Sequence, residues 1–434
     1  MKTVLILTYY WPPSAGSGVQ RWLKFAKYLP DCGWRPIIVT PKNGTAPYYD
    51  DGLLQDVPAE AEVIHTGTLE PFAIYNALQG KRKDAPIPVG MMGLTEKKGI
   101  FHRLSNYLRA NLFVPDARKG WVPYATQAAL RRIAQGGIDV LVTTGPPHST
   151  HLAGLAIHRQ TGIPWLADLR DPWTNIYYNQ TLPRTAATQA KDRAKETEVV
   201  QTANAVTVVS PGMADEFGAR ARRLEVIYNG YDADDLPAVR PAPHPGFCLS
   251  HVGNFFPALE SPGLVSALAN LVNEEPGFAD DLQLRFTGLL DAGVEARLRE
   301  AGLGRFLHLT PPVAHHAAVV EMMQASVLLF SIANEGNVRA LVSGKIFEYL
   351  ATGLPILPIG DHASGAGEVL AQAGMGPMLA HADGAAIQTQ LRQFYRDWQA
   401  QGRQPLAGHN QGAAAFSRQG LTQQLARLLQ KIAG

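Results

Sequence analysis

Lys345 and Glu348 stand three residues apart in "SGKIFEYLATGLPIL", on one face of a helix entered through Ser343 and Gly344. A lysine near a helix start can neutralise a leaving diphosphate, and a glutamate one turn on can accept hydrogen bonds from ribose hydroxyls. The competing reading is an ordinary surface ion pair. Ile346, Phe347, Tyr349 and Leu350 weaken it, because they set the polar pair at the edge of an apolar helix.

Two further clusters lie upstream. In "YYWPPSAGSGVQRWLKFAKYL", Gly16, Ser17 and Gly18 follow the apolar run "TVLIL" and precede a helical pattern. Such a turn lets backbone N–H groups and the helix start face an anion, with Arg21 as a fixed charge one turn in; it is equally a tight turn with no ligand. Arg21 stands where a dinucleotide fingerprint has its third glycine, and no Lys-Ser or Lys-Thr pair follows, so neither NAD nor a P-loop nucleotide is supported.

The second upstream cluster is "TTGPPHSTH" with "ADLRDPW". Thr143, Thr144, Gly145 and His148 end one candidate strand, and Asp168, Arg170 and Asp171 end the next. Carboxylates beside an arginine there can orient sugar hydroxyls or stabilise a cationic transition state, or they form an internal ion pair that braces a loop. His148 and His151 have the spacing of a metal pair but lack a third ligand, and the adjacent His315 and His316 diverge on any regular element. No metal is therefore expected.

These residues need a scaffold that sets strand ends side by side. The chain has 434 residues, too many for one ordinary core. "TVLIL", "RPIIVT", "AEVIHT", "IDVLVTTG", "IPWLADL" and "AVTVVS" alternate with helical patterns in the first half. "FCLSHVGN", "LQLRFTG", "LHLTPPV", "SVLLFSI" and "LPILPIG" do so in the second. Alternation of this kind predicts parallel sheets covered on both faces, with ligands at the carboxyl ends of strands. The Pro-rich "VIYNGYDADDLPAVRPAPHPGF" reads as the connection. The expected organisation is a domain over residues 1–230, a second over 231–410, and a C-terminal helix over 411–434.

A net charge of +2 provides no large nucleic-acid footprint, and two distant cysteines suit a reducing cytoplasm. The run Val4–Leu7 is too short for a secretory h-region and reads as a buried strand. No apolar stretch approaches bilayer length. Residues 95–121 mix Lys97, Lys98, Arg103, Arg109, Arg118 and Lys119 with aromatic and aliphatic residues. That segment suits an anionic membrane face or a lipid-phosphate acceptor, or else a helix with a solvated basic side.

With these stretches in order and at this spacing, the chain resembles, nearly end to end, the group 1 (family 4) glycosyltransferases of GT-B architecture, in particular members from cell-surface polysaccharide pathways. "VIYNGYD" resembles that family's hinge and "GKIFEYLATGLPIL" its donor-site helix. The resemblance implies two Rossmann-like α/β domains facing across a cleft, with the C-terminal helix returning to the first. It implies retaining transfer from a nucleotide-sugar donor to a glycan acceptor, without metal or other cofactor; a cytoplasmic setting is expected, and the 95–121 segment adds the reading of a lipid-linked acceptor met at the inner face of the membrane. Carried over, Lys345 contacts the diphosphate and Glu348 the ribose. Gly253 and Asn254 line the phosphate side, Pro312 and Val313 face the base, and Gly16 and Gly18 close on the donor phosphates. Asp168, Arg170, Asp171 and His148, by their own chemistry at the strand ends rather than by the resemblance, are expected to shape the reacting centre.

Two departures stand out. The family often carries a glutamate eight positions before the second one; here that position is Ala340, and Glu335 lies too far upstream. "GNFFPALESPG" also lacks the basic pair many members have after the second domain's first strand, leaving phosphate charge to Lys345 and Arg339. These departures keep two other readings open: a nucleotide-sugar epimerase or hydrolase on the same fold, and a non-catalytic partner subunit that binds sugar nucleotides.

Overall fold

The computed structural model describes residues 1–46, 49–69, 107, 110–176, 179, 182–333, 338–340, 342–408 and 411–434. They form two compact units, one of Met1–Tyr228 with Leu421–Gly434 and one of Asn229–Gly420.

The first unit carries a seven-stranded sheet among the described residues. In chain order its strands are β1 (Lys2–Leu7), β2 (Trp34–Pro41), β3 (Glu62–Thr66), β4 (Val140–Gly145), β5 (Trp165–Leu169), β6 (Ala205–Val208) and β7 (Leu224–Val226). The spatial order is β3-β2-β1-β4-β5-β6-β7, and every pairing is parallel. Strands β1, β4, β5 and β6 are almost wholly buried apolar runs, as a sheet covered on both faces requires. The strand order reverses between β1 and β4. The Gly16 turn, after β1, and the His148 turn, after β4, therefore leave the sheet side by side.

Leu421, Leu425, Leu428 and Leu429 of the terminal segment are buried in this unit. Beside β7, the Gln424 amide donates to the Val226 carbonyl at 3.2 Å and Lys431 pairs with Glu225 at 3.5 Å.

The second unit repeats the plan with β8 (Phe247–Val252), β9 (Leu282–Thr287), β10 (Leu307–Thr310), β11 (Val327–Ser331) and β12 (Ile356–Ile359), all parallel, in the order β10-β9-β8-β11-β12. Its core includes Leu249, Leu284, Leu329 and Leu357 and an aromatic group in which Tyr395 meets Phe247 and Phe278 edge to face at 5.4 and 5.0 Å. Here the order reverses between β8 and β11, so Gly253, just past β8, lies at the switch point. The fold is the expected α/β class. The strand β7 was not anticipated: three half-buried residues give too short a pattern to read.

Candidate functional site

The second unit assembles its charged pair at that switch point. Ile346, Phe347, Tyr349 and Leu350 bury one side of the Lys345–Thr352 helix, and the Tyr349 hydroxyl accepts the Val252 N–H at 2.9 Å. That bond ties the helix to the end of β8 and brings Lys345 against Gly253. A Cβ at Gly253 would lie 2.3 Å from both Cε and Nζ of Lys345, and the residue's φ of +115° already favours glycine. The Gly253 N–H donates to the Thr287 carbonyl at 2.6 Å. Gly288, at φ +129°, lets the loop after β9 touch the Gly253 backbone, since a Cβ there would fall 2.6 Å from it.

Burial lowers the Lys345 pKa, and Glu348 one turn on opposes that shift. The Lys345 ammonium lies 3.4 Å from Nε2 of His251, and the Glu348 carboxylate lies 2.8 Å from Nε2 of His315. Neither histidine stands out by spacing as a partner of this pair. His315 is no metal ligand among the described residues; it starts the His315–Met323 helix and reaches Glu348. Asn254 Oδ1 accepts the Leu289 N–H at 3.2 Å, linking the loops after β8 and β9. Pro312 and Val313 are exposed just past β10, and the Ser343 carbonyl accepts the Ile346 N–H at the helix entrance. Arg339 pairs with Glu368 at 3.1 Å. Glu335 lies outside the described residues.

In the first unit the expected residues divide into two groups. Gly16, at φ +120°, precedes the Ser17–Tyr28 helix, and its carbonyl accepts from Val19 and Gln20. Gly18 is small for a specific reason: a Cβ there would fall 1.9 Å from a guanidinium nitrogen of Arg170. Arg170 thus lies against the first turn of that helix, donating to the Pro146 carbonyl through its side chain and to the Gly145 carbonyl at 2.9 Å through its backbone. His148 stacks on Trp173, with ring centroids 4.9 Å apart and planes 7° from parallel. The His148 ring is buried, and burial, then the charges of His151 and Arg170, push its pKa well down. Burial raises the Asp171 pKa, and Arg170 draws it back.

The second group corrects two expectations. Arg21 was expected to meet an anion and Asp168 to shape the reacting centre. Both are instead buried, at 1% and 0% exposure, and they bind each other at 2.8 Å. Arg21 also donates to the Ile227 and Tyr228 carbonyls at 2.9 Å. Asp168 accepts from Trp22 at 2.6 Å, Thr144 at 2.9 Å and Thr207 at 2.8 Å. Burial would raise the Asp168 pKa, but the charge and hydrogen bonds of Arg21, with those of Trp22 and Thr207, bring it to about 2. The internal ion pair exists, with Arg21 rather than the neighbouring Arg170 as partner. A charge inside the apolar strand "WLADL" was the signal, since a buried carboxylate requires a cation or several donors.

His148 and His151 have ring centroids 6.0 Å apart, and His151 binds Thr143 at 2.8 Å. Among the described residues, no three His, Cys, Asp or Glu side chains gather to hold a metal ion. Much of the basic 95–121 segment lies outside the described residues. Within the rest, Arg118 is buried, donating to the Thr45 carbonyl at 2.9 Å and stacking over Tyr9, so it does not belong to a solvated basic face. No helix among the described residues is long and apolar enough to cross a membrane.

Known proteins supply the remaining information. Solved structures match almost the whole chain. Sucrose-phosphate synthase from Thermosynechococcus elongatus is 16% identical, with a TM-score of 0.61 over 99% of each chain. The trehalose-6-phosphate synthase OtsA is 11% identical, with the same score and 99% coverage of both. Anabaena Alr3699/HepE, solved with UDP, is 14% identical with a TM-score of 0.57, over 99% of this chain and 100% of that one. At such identities the likeness is one of fold. No curated protein sequence matches the chain. Residues 16–230, from the first glycine turn to just past β7, match the glycosyl transferase 4-like domain. With two parallel-sheet units in the GT-B fold, the chain carries a glycosyl transferase 4-like domain in the first of them and is similar to the group 1 (family 4) glycosyltransferases.

Proposed function

We propose that this glycosyltransferase takes its sugar from a nucleoside-diphosphate donor and transfers it, with retention and without a metal, to a glycan acceptor. The observation that supports this reading best is the Lys345 ammonium set over Gly253 at the switch point, with Glu348 one turn along the same helix. The fold neighbour HepE was solved with UDP, which favours the same donor chemistry. Lys345 neutralises the diphosphate as the glycosidic C–O bond lengthens, and Glu348 receives ribose hydroxyls. Charge develops on an oxocarbenium-like sugar, and the acceptor hydroxyl attacks from the face the diphosphate leaves, passing its proton to the departing phosphate oxygen.

On the first unit, Arg170, Asp171 and His148 form the cluster assigned to the acceptor and the reacting sugar. A lipid-linked acceptor of surface polysaccharide assembly, met at the cytoplasmic face of a membrane, fits the basic and aromatic 95–121 segment.

The test is transfer from a panel of UDP-, GDP- and ADP-sugars in the presence of a chelator, reading released nucleotide and the anomeric configuration of the product. Release of one nucleoside diphosphate with the configuration kept supports the reading. Inversion, or dependence on added metal, contradicts it.

The Arg170 assignment has its own test. Gly18→Ala is expected to push the Arg170 guanidinium off the first turn, because the added Cβ would occupy its place. A displacement of about 1 Å at a reacting centre costs on the order of 100-fold in turnover. Kinetics should show that loss with the melting temperature little changed, and full activity would remove Arg170 from the site.

A further inference from the structure

We propose that His251 is a positioning residue for the leaving diphosphate: its imidazole, held in one tautomer at the end of β8, accepts a hydrogen bond from the Lys345 ammonium and keeps that charge over Gly253. The inference rests on the donor-site reading above and adds a residue that neither its resemblance nor its spacing suggested.

His251 is 2% exposed, and Phe255 meets its ring edge to face at 4.9 Å. Its Nδ1 lies 3.0 Å from the Leu329 carbonyl of the neighbouring strand β11. A carbonyl oxygen only accepts, so Nδ1 carries the proton and Nε2 is left with a lone pair. That lone pair faces Lys345 Nζ at 3.4 Å. Burial, then the Lys345 charge, push His251 down to about 3, against the opposing pull of the Leu329 and Asn254 carbonyls, so the ring stays neutral through the ordinary pH range.

The choice of partner has a chemical consequence. A carboxylate in the same place would hold the ammonium but cancel its charge toward an incoming phosphate. A neutral imidazole takes one N–H and leaves the full positive charge and the other two N–H groups for phosphate oxygens. Among the described residues no carboxylate lies within ion-pairing distance of Lys345. The Gly253 cradle fixes the other side of the ammonium, so the side chain is preorganised before ligand arrives.

A double-mutant cycle on the full chain tests this, with calorimetric affinities for UDP, GDP and ADP as the readout. His251→Phe is expected to weaken the preferred diphosphate about tenfold in the natural background and to have no further effect beside Lys345→Ala. His251→Gln, whose amide oxygen reaches toward the Nε2 position, should retain most of the affinity. Equal losses in both backgrounds would mean that His251 acts only through the fold and would overturn the proposal, as would undiminished binding by His251→Phe. If His251→Phe does not fold, the long-range 1H–15N spectrum of the unaltered protein decides: a proton on Nε2 overturns the assignment, and an unprotonated Nε2 supports it. Absence of binding to every nucleoside diphosphate by the unaltered protein would instead bring down the donor-site reading itself, and this inference with it.

Discussion

Lys345→Ala is expected to lower kcat/KM by roughly 100- to 1,000-fold, the scale of losing one preorganised charge-stabilising contact to a developing anion, or about 3–4 kcal/mol of transition-state stabilisation. The fold should survive, because the substitution removes a partly buried charge that no carboxylate among the described residues pairs. Lys345→Arg should not restore activity. The ammonium and Cε already occupy the space a Gly253 side chain would need, and a planar guanidinium is wider than that cradle. Steady-state kinetics beside thermal melting check both statements. A variant with ordinary kcat/KM would dismiss Lys345 from the chemistry.

The second large effect is on stability and lies in the first unit. Asp168→Asn leaves the Arg21 guanidinium buried without its counter-charge, which costs about 3–5 kcal/mol. For a unit of this size the melting temperature should fall by on the order of 10 °C. Arg21→Met combined with Asp168→Asn should be more stable than Asp168→Asn alone, because the uncompensated cation is gone. If the double variant is instead the less stable of the two, the uncompensated Arg21 charge is not what destabilises Asp168→Asn.

The same carboxylate gives an acid signature. Its folded pKa of about 2 lies below the ordinary 3.8. Its contribution is therefore present above about pH 4 and is lost as pH falls from there through 2. The shift corresponds to about 2 kcal/mol. The first unit should melt at progressively lower temperature over that window, and Asp168→Asn should flatten the dependence.

The strands were legible because buried parallel strands are short apolar runs bounded by turns. "IDVLVTTG" and "SVLLFSI" each became one. Lys345 and Glu348 were legible because both lie on one helix, where spacing alone sets the face. The partners of the charged residues were not legible. Asp168 lies 147 positions from Arg21, and only the pairing of β1, β4 and β5 brings the strand end and the helix together. Arg170 was the nearer guess in sequence and the wrong one in space.

His251 shows the same limit. A polar residue inside the apolar run "FCLSHV" signalled that a partner must exist. Its identity depended on where the helix after β11 docks, and the Tyr349 bond to Val252 settles that docking. Gly18 suits either a turn open to a ligand or a tight turn with none; the structure sets the Arg170 guanidinium where its side chain would stand. Composition and periodicity describe elements one at a time, whereas these contacts form between elements far apart in the chain.

Calorimetric titration of the unaltered protein and Lys345→Ala with UDP, GDP and ADP, in the presence of a chelator, tests the donor site most directly. Saturable binding of one of the three by the unaltered protein is expected, with loss or severe weakening in the variant. Equal binding by both proteins, or binding of none by the unaltered one, would contradict the donor site.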